Sequence, residues 1–234
     1  MTNGNNASVP DAVKRSLRTM SLNQTKATFA LDTCELDLFH WYVEKTETLV
    51  NDMLSSEHAI IHAQIESGVE DINDSGIVAV EYYLKRIRYS HVLYMTSLLE
   101  TFLERSCSAL TAVVDERNRP FALTELKGDQ WTVRRKFLEG YAGFSLPVEL
   151  WSDILVLIAL RNILVHDNGS TSALPDQQRS MLKKVTGIRL DGYEVAIDAE
   201  YINCALEAIK SVVQYIQKEL GALLDSAIHP KLVK

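Results

Sequence analysis

Along most of the chain, apolar residues recur at intervals of three and four, the spacing that lines up one face of an α-helix. From Asp32, the residues Leu36, Phe39, Val43, Leu49, Val50, Met53 and Leu54 form an interrupted apolar face that runs past Ile61. The acidic, turn-rich stretch Gly68 to Gly76 reads as a loop. Val78 to Asp115 is a second long helix, with Val80, Leu84, Ile87, Val92, Leu99 and Phe102 among its apolar positions. Arg117-Asn118-Arg119-Pro120 ends it, because the residue before a proline avoids the α region. Thr132 to Leu138 predicts a short helix, and Gly140 to Pro147 leads as a loop into a densely apolar helix from Trp151. Pro175-Asp176-Gln177 starts a short helix through Lys184. Ile188 to Ile197 alternates around Asp191-Gly192, a strong short-range hairpin signal. Ala199 to Leu224 is the last long helix, with Ile202, Leu206, Ile209, Val213, Ile216, Leu220 and Leu223 at helical spacing.

These elements predict a mostly α fold: a bundle of three to four long helices with a small β-hairpin inserted after the apolar helix. Residues 1–21 are polar, carry Pro10 and show no sustained period, so they read as a flexible arm ahead of a single domain spanning 22–234. At 234 residues and 47% hydrophobic content the chain can bury one sizeable core.

A net charge of −7 argues against holding nucleic acid by bulk electrostatics, so any RNA contact needs a local basic strip. Arg134, Arg135 and Lys136 form one such cluster, suited to phosphate contact or simply to a solvated face. Arg86 and Arg88 could belong to a basic rim. Cys34, Cys107 and Cys204 are odd in number, far apart and in apolar helical settings, which predicts buried thiols in an intracellular, cytoplasmic protein. The longest unbroken apolar run, Ile154 to Leu160, is too short for a membrane span. His58 and His62 stand four apart, but no third ligand accompanies them; Glu100 and Glu104 read as a solvated face. Dinucleotide, Walker, paired-cysteine and zinc-protease motifs are absent, so neither a cofactor nor a metal is expected.

The remaining chemistry lies at the end of the apolar helix, in Leu160-Arg161-Asn162-Ile163-Leu164-Val165-His166-Asp167-Asn168-Gly169. Trp151, Ile154, Leu155, Ile158, Asn162 and Val165 make a stripe that runs into the polar group, and Asp167-Asn168-Gly169 supplies a helix stop. Asn162 and His166 share a face. Arg161 and His166 diverge by about 140° on the helical wheel. Either the helix frays, or Arg161 reaches round, or a second copy of the chain completes the site.

Arg161-Asn162 followed by His166 at the end of an apolar helix, with an Asn-Gly turn beyond it, resembles the signature of the HEPN superfamily. The resemblance extends from Tyr82 to about Leu224, taking in the long helix through Tyr89 to Ala112, the connecting segment from Phe121 to Glu139 and the hairpin and helix after the motif. It implies a metal-independent endoribonuclease of toxin–antitoxin or phage-defence biology, with Arg161, Asn162 and His166 as catalytic residues. It also implies RNA as substrate, a homodimer formed through the motif helix and an antitoxin or regulatory protein as a further partner. On residue chemistry alone, a capping and ion-pair cluster at a helix end is an open alternative, with Arg161 bonded to carboxylates and His166 to carbonyls. A non-catalytic RNA- or protein-binding module that keeps the fold is another.

Overall fold

A computed structural model describes residues 11–113, 123–190 and 192–228. The chain is mostly helical: α1 Asp11–Glu66, α2 Ser75–Val113, a 3-10 turn Leu123–Glu125, α3 Gln130–Ala142, α4 Val148–His166, α5 Asp176–Leu182 and α6 Ala199–Ile228. A two-stranded antiparallel hairpin, β1 Ile188–Arg189 and β2 Ala196–Ile197, lies between α5 and α6. Its register pairs Ile188 with Ile197 and Arg189 with Ala196. None of the helices among the described residues is long and apolar enough to cross a membrane.

Helix α1 begins well inside the stretch read as an arm. Val13, Leu17 and Met20 stand there at intervals of four and three, a run too short among polar neighbours to read as a sustained period. The expected helix stop at Arg117 to Pro120 lies outside the described residues, as does Asp191 of the hairpin turn.

Two compact units divide the long helices between them. One comprises residues 1–33, 101–146 and 214–234. Within it Phe102, Leu103, Leu110, Phe137, Leu138 and Ile216 are buried. Asp129 starts α3 by accepting hydrogen bonds from the backbone N–H of Trp131 and Thr132, both at 3.0 Å. That satisfies two of the donors a helix N-terminus leaves without partners.

The other unit comprises residues 34–100 and 147–213 and contains the whole of α4. Phe39, Val43, Met95, Ile154, Leu160 and Ile209 are among its buried side chains. A buried ion pair ties three elements of this unit together. Arg88 on α2 donates from Nε and Nη2 to the Glu47 carboxylate on α1 at 2.8 and 2.7 Å, and from Nη1 to the Ile197 carbonyl of β2 at 3.1 Å. Arg88 is therefore a structural bracket rather than part of a basic rim.

The buried faces correct the wheel reading in places. Leu49 and Met53 of the α1 stripe are 61% and 45% exposed. Of the three cysteines, all free, only Cys107 is buried; Cys34 and Cys204 are exposed. Burial pushes the Cys107 thiol up to about 12, so it stays protonated and inert.

Candidate functional site at the end of the apolar helix

Helix α4 buries Trp151, Ile154, Leu157, Leu160, Ile163 and Leu164. The predicted stripe agrees at its first two members and then departs, since Leu155 and Val165 are each 47% exposed and Asn162 is exposed. The helix is apolar around so much of its circumference that spacing alone could not choose the inward face. The polar group consequently sits on the outer surface instead of at the end of the core stripe.

The helix ends at His166 without fraying, as the Asp-Asn-Gly stop predicts. Asp167 and Gly169 both donate backbone N–H bonds to the Ile163 carbonyl, at 3.0 and 3.1 Å. Asn168 and Gly169 hold positive φ angles of 49° and 84°. At Gly169 this conformation suits glycine, and a Cβ there would lie 2.7 Å from the Tyr89 hydroxyl oxygen. The turn is pinned on several sides. Tyr89 on α2 donates its hydroxyl to the Val195 carbonyl. The Val195 N–H donates to the Gly169 carbonyl at 2.9 Å, and the Thr171 N–H to the Tyr193 carbonyl at 2.8 Å. Arg86 on α2 donates from Nη1 to Asn168 Oδ1 at 3.1 Å. Tyr89, Arg86 and the hairpin thus hold the backbone just beyond His166, and nothing local in the sequence announces contacts across this separation.

Arg161 resolves the wheel problem in part. Its Nη1 donates to Asn162 Oδ1 at 3.1 Å, so the guanidinium swings round the helix toward the face that Asn162 shares with His166. Asn162 orients Arg161 in this arrangement. Arg161 is half-buried and enters no ion pair among the described residues. His166 is exposed, and its ring makes no hydrogen bond or ion pair within the described residues. The ion-pair and capping arrangement that would have made this cluster structural is not what these side chains form.

The basic cluster on α3 is differently disposed. Arg134 Nη2 lies 3.5 Å from Glu104 Oε2, and Arg135 Nε donates to Glu139 Oε1 at 2.9 Å. Both arginines are half-buried, whereas Lys136 is exposed. The three do not form a strip of unpaired cations, because carboxylates on α2 and α3 already neutralise two of them.

His58 and His62 are exposed on α1, and His62 Nδ1 lies 3.3 Å from Glu66 Oε1. The described residues contain no group of histidine, cysteine and acidic side chains that could hold a metal ion. Compared with protein-family models, with curated proteins and with solved structures, the chain matches none of them.

Proposed function

We propose that this chain is a metal-independent endoribonuclease of the HEPN type, with Arg161, Asn162 and His166 as its catalytic set. The observation that carries the reading is the accessibility of these side chains. Arg161 is bonded only to its neighbour Asn162, and His166 to no described residue, at a helix end whose backbone is braced by Tyr89, Arg86 and the hairpin. Groups that serve packing are ordinarily paired, so unpaired polar groups on a rigid mount are available to a ligand.

RNA carries its own nucleophile, and the protein need only move protons and stabilise charge. His166 takes the proton from the 2′-OH as O2′ bonds to phosphorus. The P–O5′ bond breaks as the imidazolium so formed returns that proton to the departing O5′. Imidazole suits both transfers because histidine exchanges protons near neutral pH. Arg161, held by Asn162, donates to the non-bridging oxygens as negative charge builds on them. The products are a 2′,3′-cyclic phosphate and a 5′-hydroxyl. We place the activity in the cytoplasm, on cellular RNA in toxin–antitoxin or phage-defence biology, with a regulatory protein restraining it.

The same reading includes a homodimer. Val148, Leu155, Asn162 and His166 fall within about 40° of one another on the wheel. Val148 is 72% exposed and Leu155 47%, so an apolar strip leads along α4 to the catalytic residues. In a two-fold contact through this strip each copy presents the same patch, and Arg161 of one copy comes beside His166 of the other.

The test is digestion of mixed RNA by the purified chain in EDTA, with end-group analysis of the fragments. Cleavage that survives chelation and leaves cyclic phosphate ends is expected. Activity that disappears in EDTA and returns with magnesium or zinc would contradict the mechanism. Light scattering at micromolar concentration should give the mass of a dimer; a monomer that still cuts RNA removes the shared site.

A further inference from the structure

A groove of about 730 Å³ runs between α1 and α2 in the unit that carries α4. That volume lies in the range of roughly 300–1,000 Å³ typical of small-ligand sites. Its walls are unusually aromatic for a surface feature. Phe39 and Tyr42 come from α1, and Tyr83 and Tyr94 from α2. Phe39 is buried, but Tyr42 is 48% exposed, Tyr83 61% and Tyr94 44%. The tyrosines are thus partly open to solvent, Tyr42 and Tyr94 packed at 6.1 and 4.6 Å between ring centres against Phe39, which is part of the core. Folding does not need such rings on the outside, since it gains nothing from apolar surface left in water.

The two ends of the groove differ in charge. At one end Glu35 accepts a hydrogen bond from the Tyr94 hydroxyl at 3.2 Å. At the other stands Arg86, whose guanidinium carbon lies 5.1 Å from the Tyr82 ring centre and 5.6 Å from that of Tyr89. Arg86 uses Nη1 on Asn168, while its Nε is buried without a hydrogen-bond partner. A cation at the mouth of an aromatic groove, engaged by one side-chain amide and paired with no carboxylate among the described residues, fits an anionic group on a flat ligand. Arg86 is also the residue that touches the turn two positions beyond His166, so the basic end of the groove adjoins the catalytic helix end.

We propose that this groove receives a nucleoside unit of the RNA strand beside the cut phosphate. The base stacks against Tyr42 and Tyr83, and the adjoining phosphate lies on Arg86. The inference rests on the ribonuclease reading of the motif and gives that reading a substrate subsite. Stacking on tyrosine accepts any base, because every base has a π-face. The Glu35 carboxylate, which only accepts hydrogen bonds, favours a base whose edge offers adjacent donors, as guanine does. Charge runs the right way along the groove, with the acceptor at the base end and the cation at the phosphate end. Among strand types, the site calls for single-stranded RNA, whose bases can leave their stack.

Short 2′-O-methylated RNA oligonucleotides lack the nucleophile and can bind without being cut, so binding and cleavage are read separately. Fluorescence anisotropy with such an oligonucleotide should weaken about tenfold or more in Tyr42→Ala and Tyr83→Ala, the loss of one stacking platform. Tyr83→Phe, which keeps the ring, should bind as the parent chain does. Thermal unfolding confirms that each variant is folded, and both tyrosines are exposed enough that it should be little changed. A guanine-containing oligonucleotide should bind more tightly than its uracil counterpart, and Glu35→Gln should narrow the gap. Unchanged affinity in both alanine variants overturns the proposal. So does 5′-guanylate binding as tightly as the oligonucleotide, which would make the occupant a free nucleotide. If the parent chain cuts RNA while the tyrosine variants bind and cut equally well, the groove assignment falls and the ribonuclease reading stands. If binding depends on the tyrosines and nothing is cut, the groove assignment stands and the ribonuclease reading falls.

Discussion

Two polar clusters occupy the same compact unit and have opposite settings. Glu47 and Arg88 are largely buried, meet in a two-pronged pair, and have a backbone carbonyl to complete them. Arg161, Asn162 and His166 stand at a helix end, with one hydrogen bond among them and none from His166. Both begin as charged or polar residues inside apolar helical patterns, and from spacing alone they look alike. What separates them is pairing. A buried charge must be neutralised to be tolerated, and once neutralised it has little left to offer a ligand. A half-buried guanidinium bonded only to a neighbouring amide and an exposed imidazole with no partner among the described residues contribute little to folding and keep their chemistry. The first cluster should therefore fail in stability and the second in activity.

Apart from His166 itself, the largest effect is expected at Arg161. Arg161→Ala should lower RNA cleavage by about 10²- to 10³-fold, the loss typical of removing one donor to developing charge, with the unfolding midpoint unchanged. Asn162→Ala should lose less, about tenfold, because in this structure it acts by holding Arg161. Equal losses in single-turnover cleavage would assign Asn162 a direct contact with phosphate instead. Glu47→Gln tests the other cluster. It leaves the Arg88 charge with only the more distant Asp198 carboxylate, 3.8 Å away, and should cost about 3 kcal/mol of stability, the low end for breaking a buried pair, read by thermal or urea unfolding. Cleavage by the fraction that stays folded should be that of the parent chain.

Much of the frame was legible because helical periodicity and turn residues act locally. The span of α4, its stop at Asp167-Asn168-Gly169 and the hairpin near Gly192 all follow from neighbouring residues. The inward face of α4 was not legible, since Leu155 and Leu157 are equally apolar and only tertiary packing decides that Leu157 is buried and Leu155 exposed. The motif residues stood out by type, yet their geometry depended on a rotamer: Arg161 bends to Asn162, which the wheel allowed without requiring. Arg86 and Tyr89 brace the turn from α2, and contacts across such a separation leave no trace in spacing. The pairing of Arg134 was hidden for the same reason, because its partner Glu104 belongs to another helix.

A smaller structural effect should appear at the start of α3. Burial alone would raise the Asp129 carboxyl, but hydrogen bonds from Thr132 and Trp131 outweigh it and hold the group below its ordinary value. A depressed folded-state pKa contributes stability above the unfolded value, near about 3.9, and loses it as pH falls through the folded value. Asp129→Ala should therefore cost about 1 kcal/mol near neutrality, shrinking toward strongly acidic pH. An unfolding difference that stays constant down to that range would mean the carboxylate's charge is irrelevant to the cap. The mildest effect is expected at Lys136, the exposed member of its cluster. Lys136→Ala should weaken RNA binding only slightly, with the salt slope shallower by at most about one phosphate contact. A large loss would show that the strand crosses α3.

The most direct measurement is made on a single preparation of His166→Ala, by recording RNA cleavage and thermal unfolding side by side. Removal of the proposed proton carrier should slow cleavage by about 10²- to 10⁴-fold. The unfolding midpoint should match the parent chain, because His166 holds nothing in place within the described residues. Cleavage at the parental rate, or a chain that unfolds when His166 is removed, would contradict the assignment.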